Sequence, residues 1–191
     1  QNRSELYSVP INGGTSEKLN TPLNSNGEIR AVQISPDSQQ VIYTLSPDFF
    51  GIFSLFRTPI EGGTPLELST PDAGAGNFEV SPDSSFVLFR GNDNGSFGLF
   101  SASMDGSDFE KVSADLIDGG SILNFAFSDD ATTLIYRAEQ ETVGIQELYS
   151  VRLEDGFIQK RSGDLGDNGD VGNFGVEANG NKVVYIADQD M

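Results

Sequence analysis

Hydrophobic and polar residues alternate in short stretches along this chain, and one stretch of ten residues occurs in four copies. The two clearest copies are ISPDSQQVIY at 34–43 and VSPDSSFVLF at 80–89, whereas FSDDATTLIY at 127–136 and VEANGNKVVY at 176–185 are more divergent. In each copy, β-branched and aromatic residues flank a polar centre that is rich in turn-forming residues. Each copy therefore predicts a strand, a tight turn and a second strand.

A second pattern follows each predicted hairpin along the chain. Segments that open with Leu-Tyr or Leu-Phe and end in a glycine-containing turn begin at residues 6, 55, 99 and 148. They predict a third strand, a turn and a short fourth strand in every repeat. No helical periodicity of comparable length occurs in the chain.

The spacing of the two patterns predicts the fold. The hairpin segments lie 46, 47 and 49 residues apart, and the other segments lie 49, 44 and 49 residues apart. Four short strands in a period of this length are typical of a β-propeller blade, whereas the rungs of a β-solenoid are shorter and lack two hairpins. We predict an all-β propeller domain over residues 1–191 with four four-stranded units, at 5–52, 53–98, 99–146 and 147–191.

The two ends of the chain carry complementary half-units in matching register. Twelve residues separate Tyr43 from Leu55, and also Tyr136 from Leu148; the six residues after Tyr185 and the six that lead to Leu6 give the same separation. The half-units can therefore pair within the chain and close a four-bladed ring. Alternatively, the chain is part of a larger propeller or pairs head-to-tail with another copy. We favour ring closure, because an unpaired half-blade exposes hydrophobic strand edges.

Composition excludes several classes of function. The net charge of −18, from 29 acidic and 11 basic residues, disfavours nucleic acid and anionic membrane surfaces as partners. No stretch has the ~18 apolar residues of a membrane span, and the chain shows no signal peptide. The chain contains no cysteine, so a disulfide framework and thiolate metal sites are absent. It opens at Gln1 without an initiator methionine, which suggests a processed or excised piece.

Candidate catalytic groups are few. The chain contains no histidine, which excludes Ser-His-Asp and Cys-His arrangements. The adjacent Asp129 and Asp130 are candidates for acid–base work, but they occupy the turn positions of Pro36-Asp37 in the first repeat. We therefore predict that they stabilise a turn by accepting backbone N–H bonds. The chain is accordingly predicted not to be an enzyme.

Oxygen-rich loops near the C-terminus are candidates for calcium binding. The segment 163–170 (GDLGDNGD) places three carboxylates and an amide in a glycine-containing loop, and a further pair of carboxylates follows at 188–190. Ca²⁺ takes six to eight oxygen ligands of this kind, although no complete EF-hand pattern is present. The candidate ligands are Asp164, Asp167, Asp170, Asp188 and Asp190, and the alternative is a solvated turn.

Three asparagines recur at one position of the predicted innermost strand. Asn77, Asn124 and Asn173 each precede a phenylalanine, whereas the first repeat has Ala31-Val32 there. The innermost strands of a propeller line its channel, so these side chains could form a polar ring that binds a ligand. The interpretation we favour is that they join neighbouring blades by hydrogen bonds, because a buried amide needs partners.

The combination of S-P-D-x-x-x-V-x-[YF] with E-L-Y-S-V-P-x-x-G-G resembles the repeats of TolB-like β-propellers of the WD40-like PD40 type. Residues 183–190 (VVYIADQD) and 5–14 (ELYSVPINGG) are especially similar to repeats of secreted or surface bacterial proteins. The resemblance spans essentially the whole chain, with departures at Asp129 and at 178–179. It implies blades around a channel, loops that bind proteins, peptides or sugars, and an extracellular, cell-surface or periplasmic location.

Two classes of function are compatible with these observations. The first is a noncatalytic scaffold or binding module whose partner is a protein or peptide, including another copy of the chain. The second is a propeller enzyme, or the substrate-gating domain of a hydrolase or lyase. The absence of histidine and of a nucleophile motif favours the first class.

Overall fold

A computed structural model describes residues 4–47, 52–69, 74–93, 96–166, 169–177 and 181–189. The described chain is built of sixteen strands in five antiparallel sheets, and this confirms the predicted all-β class. The strands are β1 (Tyr7–Ser8), β2 (Glu17–Lys18), β3 (Glu28–Ile34), β4 (Gln40–Ser46), β5 (Ser54–Pro59), β6 (Leu66–Glu67), β7 (Phe78–Val80), β8 (Phe86–Asp93), β9 (Ser96–Ser103), β10 (Phe109–Lys111), β11 (Ile122–Phe127), β12 (Thr133–Ala138), β13 (Glu147–Arg152), β14 (Phe157–Lys160), β15 (Val171–Val176) and β16 (Val183–Ala187).

Three of the sheets have four strands in sequence order: sheet A (β3–β6), sheet B (β7–β10) and sheet C (β11–β14). Each sheet joins the second half of one predicted repeat unit to the first half of the next. The two remaining sheets are an N-terminal pair (β1–β2) and a C-terminal pair (β15–β16). The units at 5–52, 53–98, 99–146 and 147–191 are therefore periods of the sequence, and a sheet straddles each boundary between them.

The two terminal pairs form separate sheets among the described residues, so the sheets are not closed by strand pairing within the chain. This differs from the ring closure that the matching registers favoured. The register fixes which residues would face each other if the strands paired. It does not by itself cause β1 and β16, which lie at opposite ends of the sequence, to pair.

The chain divides into two compact units, one of residues 1–89 and 101–109, the other of residues 90–100 and 110–191. In the first unit, Tyr43 is fully buried with Leu23 and Leu45, and its ring stacks on Phe56 at 5.8 Å. In the second unit, Tyr136 stacks on Tyr149 at 5.4 Å between ring centroids. The aromatic residues of the repeats thus form the core, as stacked pairs across neighbouring strands.

The polar centres of the repeats form six-residue turns that share one hydrogen-bonding pattern. In the first copy, Ser35 Oγ donates to Asp37 Oδ1 at 2.5 Å, and the same oxygen accepts the Gln39 N–H at 3.0 Å. Equivalent bonds to the central aspartate occur in the turns 81–86 and 128–133, and also in the turn 103–108 between β9 and β10. The predicted role of Asp130 as a turn stabiliser is confirmed.

The fourth residue of this turn adopts the left-handed backbone conformation. It is Ser38, Ser84 and Ala131 in three copies, with φ near +60°, and Gly106 in the fourth. A left-handed residue with a Cβ is strained by about 1–2 kcal/mol. Glycine relieves this strain but loses about 0.5–1 kcal/mol through chain entropy.

We therefore expect Ala131→Gly to raise the free energy of unfolding by roughly 0.5–1 kcal/mol. Urea unfolding followed by circular dichroism measures the change. The control is Ala126→Gly in β11, where φ is not positive, and this substitution should lower the stability by a similar amount. A loss of stability in both variants would contradict the interpretation of strain at Ala131.

The turn aspartates should also make stability depend on acid. Hydrogen bonds from the Ser107 side chain and backbone lower the pKa of Asp105 to about 2. The unfolded chain has the ordinary value of 3.8, so the stabilisation is present above about pH 4 and is lost as the pH falls towards 2.

We expect Asp105→Asn to be less stable than the wild type at pH 7, and this difference to shrink between pH 4 and pH 2. Melting temperatures at four pH values measure it. The control Asp118→Asn removes an exposed acid and should leave the pH profile unchanged. A constant difference in melting temperature between wild type and Asp105→Asn across this range would contradict a stabilising role of the ionised Asp105 carboxylate.

Candidate binding groove

The predicted calcium ligands do not gather among the described residues. Asp170 Oδ1 accepts the backbone N–H of Gln146 at 2.7 Å, and the carbonyl of Asp170 accepts the Asp188 N–H at 3.1 Å. Asp164 and Asp188 are exposed, whereas Asp167 and Asp190 lie outside the described residues. Within the part of the chain that the structure describes, no three acidic side chains lie close enough together to hold a metal ion. Asp170 is thus part of the loop's own hydrogen bonding.

Calcium binding by this loop stays a prediction. If Ca²⁺ binds the folded chain, a free concentration of roughly 100 times Kd should stabilise it by about 2.7 kcal/mol. A melting experiment with Ca²⁺ and with excess chelator tests this. Identical melting temperatures with Ca²⁺ and with chelator would contradict calcium binding by this loop.

The three asparagines differ in environment. Asn77 and Asn173 are exposed, and Asn173 Oδ1 accepts the N–H of the adjacent Phe174 at 3.0 Å. Asn124 is half-buried, and its Oδ1 has no hydrogen-bond partner. In sheet C and in the C-terminal pair the strand register shifts at this position, so the asparagines coincide with a β-bulge of the innermost strand. The polar ring around a channel stays a prediction.

Two arginines that the repeat pattern did not single out join successive sheets. In the second unit, Arg90 Nη1 donates to the Ile122 carbonyl at 3.0 Å. Arg137 Nη1 donates likewise to the Val171 carbonyl at 3.0 Å and to that of Gly172. Both arginines directly follow the aromatic residue that recurs in the second strand of each repeat, and this position is the signal that the sequence offers. They join successive sheets by hydrogen bonds, whereas the same role for the asparagines stays a prediction.

The first unit contains a groove of about 650 Å³ between the N-terminal pair and sheet A. The β1 segment, residues 6–10, forms one wall, and Val32 and Ile34 of β3 form the floor. The carboxylates of Glu17 and Glu61 also line the groove and are exposed. The groove is thus apolar at its floor and acidic at its margin.

One residue of the floor is exposed although its repeat position is buried in sheets B and C. Ile34 is 51% exposed, whereas the equivalent Val80 and Phe127 are 3% and 6% exposed. Val32 is 49% exposed, and in the wall Tyr7 and Val9 are 53% and 59% exposed. Exposed apolar patches with a polar margin are typical of sites where another protein surface binds.

The wall of the groove also offers a strand edge. β1 pairs with β2 through Tyr7–Lys18 and Ser8–Glu17, and no strand lies on its other side among the described residues. An unpaired edge presents backbone N–H and C=O groups to an incoming strand. The groove therefore combines the two features that bind an extended chain segment: backbone partners and an apolar floor.

The likeness to known proteins concerns the fold. No protein-family model matches the chain, and no curated protein matches it. Solved structures of β-propellers do match. TolB from Agrobacterium tumefaciens has a TM-score of 0.56 and 16% identity over 83% of this chain and 56% of its own. TolB from Acinetobacter baumannii has a TM-score of 0.60 and 16% identity over 95% of this chain and 42% of its own.

Dipeptidyl peptidase 4 from Porphyromonas gingivalis has a TM-score of 0.71 and 9% identity over 90% of this chain and 24% of its own. The resemblance to TolB-like propellers that the repeats carry is thus confirmed at the level of the fold. The chain spans about half of the length of the TolB structures it matches, and a quarter of the peptidase. These structures divide between TolB proteins and a peptidase.

Proposed function

We propose that this chain is a noncatalytic propeller module that binds an extended protein segment in the groove between β1 and β3. Sheets A, B and C are blades in this proposal, and each terminal pair is half of a blade. The observation that carries the proposal is the exposure of Ile34, at a repeat position that is buried in sheets B and C. A bound strand covers this residue and pairs with the edge of β1.

The groove selects its ligand by side-chain alternation and charge. A strand directs every second side chain to the floor, so the ligand has apolar residues at alternate positions. Glu17 and Glu61 favour basic residues at its flanks. The net charge of −18 disfavours acidic peptides and nucleic acid in the same way.

The resemblance of the repeats supports placing the module in a secreted, cell-surface or periplasmic bacterial protein. Among the residues that the structure describes, no helix has the length and hydropathy of a transmembrane span. Membrane insertion of the chain is not part of the proposal.

A labelled heptapeptide of alternating valine and threonine with lysine at both ends tests the groove. We expect saturable binding in fluorescence anisotropy, and Ile34→Lys should weaken it at least tenfold, or about 1.4 kcal/mol. The control Val143→Lys changes an exposed apolar residue outside the groove. A peptide with N-methylated backbone should not bind. Equal binding by the wild type and Ile34→Lys would refute the proposal.

The alternative is the propeller domain of a hydrolase, which the likeness to a dipeptidyl peptidase favours. A panel of peptidase, esterase and lyase substrates separates the two. Turnover by the purified chain that disappears when one carboxylate is replaced would establish the alternative and overturn the noncatalytic assignment.

A further inference from the structure

The C-terminal pair exposes one apolar face. Val183, Tyr185 and Ala187 of β16 pack in a cluster around the buried Ile135, Leu148 and Val171. The alternate residues Val184 and Ile186 point away from this cluster and are 74% and 73% exposed. The repeat equivalents of Val184 in the complete sheets, Ile42, Leu88 and Ile135, are buried. The outer face of β16 therefore lacks the cover that the same face has in β4, β8 and β12.

The floor of the groove occupies the repeat positions that cover the equivalent face of sheet C. Ile135 belongs to one cluster with Phe174 and Val176 of the following innermost strand. By repeat position, Ile135 corresponds to Val184, and Phe174 and Val176 correspond to Val32 and Ile34. The contact between sheet C and the C-terminal pair thus shows how β16 would pack on β3.

We propose that the β15–β16 hairpin of a second copy of this chain occupies the groove, with its β16 paired to β1. The proposal rests on the proposed function and names its ligand. The pairing of β12 with β13 supplies the register, because Tyr136 faces Tyr149 and Ile135 faces Ser150. Transferred to the interface, Tyr185 faces Tyr7 and Val184 faces Ser8 of the other copy.

The N-terminal pair is already arranged as the outer half of such a sheet. The Tyr7 hydroxyl donates to Glu5 Oε2 at 3.0 Å, and Lys18 Nζ contacts Glu5 Oε1 at 2.7 Å. In sheet C, Tyr149 donates to Glu147 Oε2 at 2.6 Å, and Lys160 contacts Glu147 Oε1. The two triads occupy the same repeat positions. The bound hairpin would place Tyr185 against Tyr7, as Tyr136 stacks on Tyr149 at 5.4 Å.

Among the residues that the structure describes, each copy has one such groove and one such hairpin face, so the contact is head-to-tail. Two copies that exchange hairpins form a closed dimer, whereas one-sided contacts extend into chains of copies. Lys182 precedes β16 and brings a positive charge to a groove lined by Glu17 and Glu61. The net charge of −18 on each copy opposes association. Salt shortens the Debye length from about 30 Å at 0.01 M to about 8 Å at 0.15 M, so added salt should strengthen the dimer.

Cysteine cross-linking tests the interface in the full chain, which has no cysteine of its own. The variants Ser8→Cys and Val184→Cys are purified separately, mixed and oxidised mildly. We expect a disulfide-linked species of twice the chain mass in the mixture, well above the amount that either variant forms alone. The geometric control is the double variant Ile135→Cys/Ser150→Cys, whose positions face each other in sheet C and should cross-link within one chain.

Two results would overturn the second copy as the ligand. One is a mixture that gives no more linked dimer than the single variants while the control cross-links. The other is a Ser8→Cys/Val184→Cys double variant that cross-links at monomer mass, because the hairpin then fills the groove of its own chain. In both cases, binding of the heptapeptide to the groove would still support the proposed function. If the heptapeptide does not bind, the proposed function and the second copy as its ligand are both contradicted.

Discussion

Replacing Tyr136 by alanine is expected to lower the free energy of unfolding by about 3–5 kcal/mol. Tyr136 is fully buried, stacks on Tyr149, and donates its hydroxyl hydrogen to Gln140 Oε1 at 2.6 Å. Burial raises the pKa of its phenol to about 12, so it is neutral at every pH of interest. The substitution removes the ring contacts and leaves a cavity beside the Tyr149 ring on the face of sheet C.

Tyr185 provides the matched control, because it occupies the same repeat position in the C-terminal pair and is only half-buried. Tyr185→Ala should cost much less than Tyr136→Ala. Both variants are compared by urea unfolding at low salt and low protein concentration, where the proposed dimer does not form. Equal losses in the two variants would contradict the assignment of this stability to the burial and stacking of the Tyr136 ring.

Replacing Arg137 by methionine is expected to lower the free energy of unfolding by about 1.5–3 kcal/mol, the range for a hydrogen bond to a charged group. Methionine keeps most of the side chain's apolar length but cannot donate to the carbonyls of Val171 and Gly172. These two carbonyls belong to the first strand of the C-terminal pair. The loss should therefore be largest for β15 and β16, measured as faster amide hydrogen exchange in residues 171–187.

The control is Arg152→Met, since Arg152 forms an exposed ion pair with Asp155 at 2.5 Å. Exposed ion pairs contribute little to stability, so this variant should resemble the wild type. A second variant, Arg137→Lys, keeps the charge and presents a single ammonium group in place of the planar guanidinium. Full stability of Arg137→Met, with exchange in 171–187 unchanged, would contradict the assignment of Arg137 as the link between the two sheets.

Local features of this fold could be predicted from the sequence, because their causes lie within a few residues. The polar centre 128–133 keeps its turn although Asp129 replaces the proline of the clearer copies. The reason is that Ser128 and Asp130 carry the hydrogen bonds that define it. The strands around the turn follow from the alternation of apolar residues. Strands β1 and β6 are only two residues long.

Features that join distant residues could not be predicted in the same way. Arg137 acts on carbonyls 34 and 35 residues away, and an arginine beside an aromatic residue has many other uses in a strand. The groove is also a long-range feature, because Ile34 is indistinguishable from Val80 in the sequence pattern. Only the absence of a covering sheet makes Ile34 exposed.

The repeated turn has a consequence for how the chain behaves in mild acid. Hydrogen bonds from neighbouring serine or threonine side chains and backbone amides lower the pKa of Asp37, Asp105 and Asp130. These carboxylates therefore keep their charge at acidities where ordinary side chains of the same type are already neutralised. The pH of zero net charge lies below the value that composition alone would give, so isoelectric precipitation of the folded chain is displaced into stronger acid.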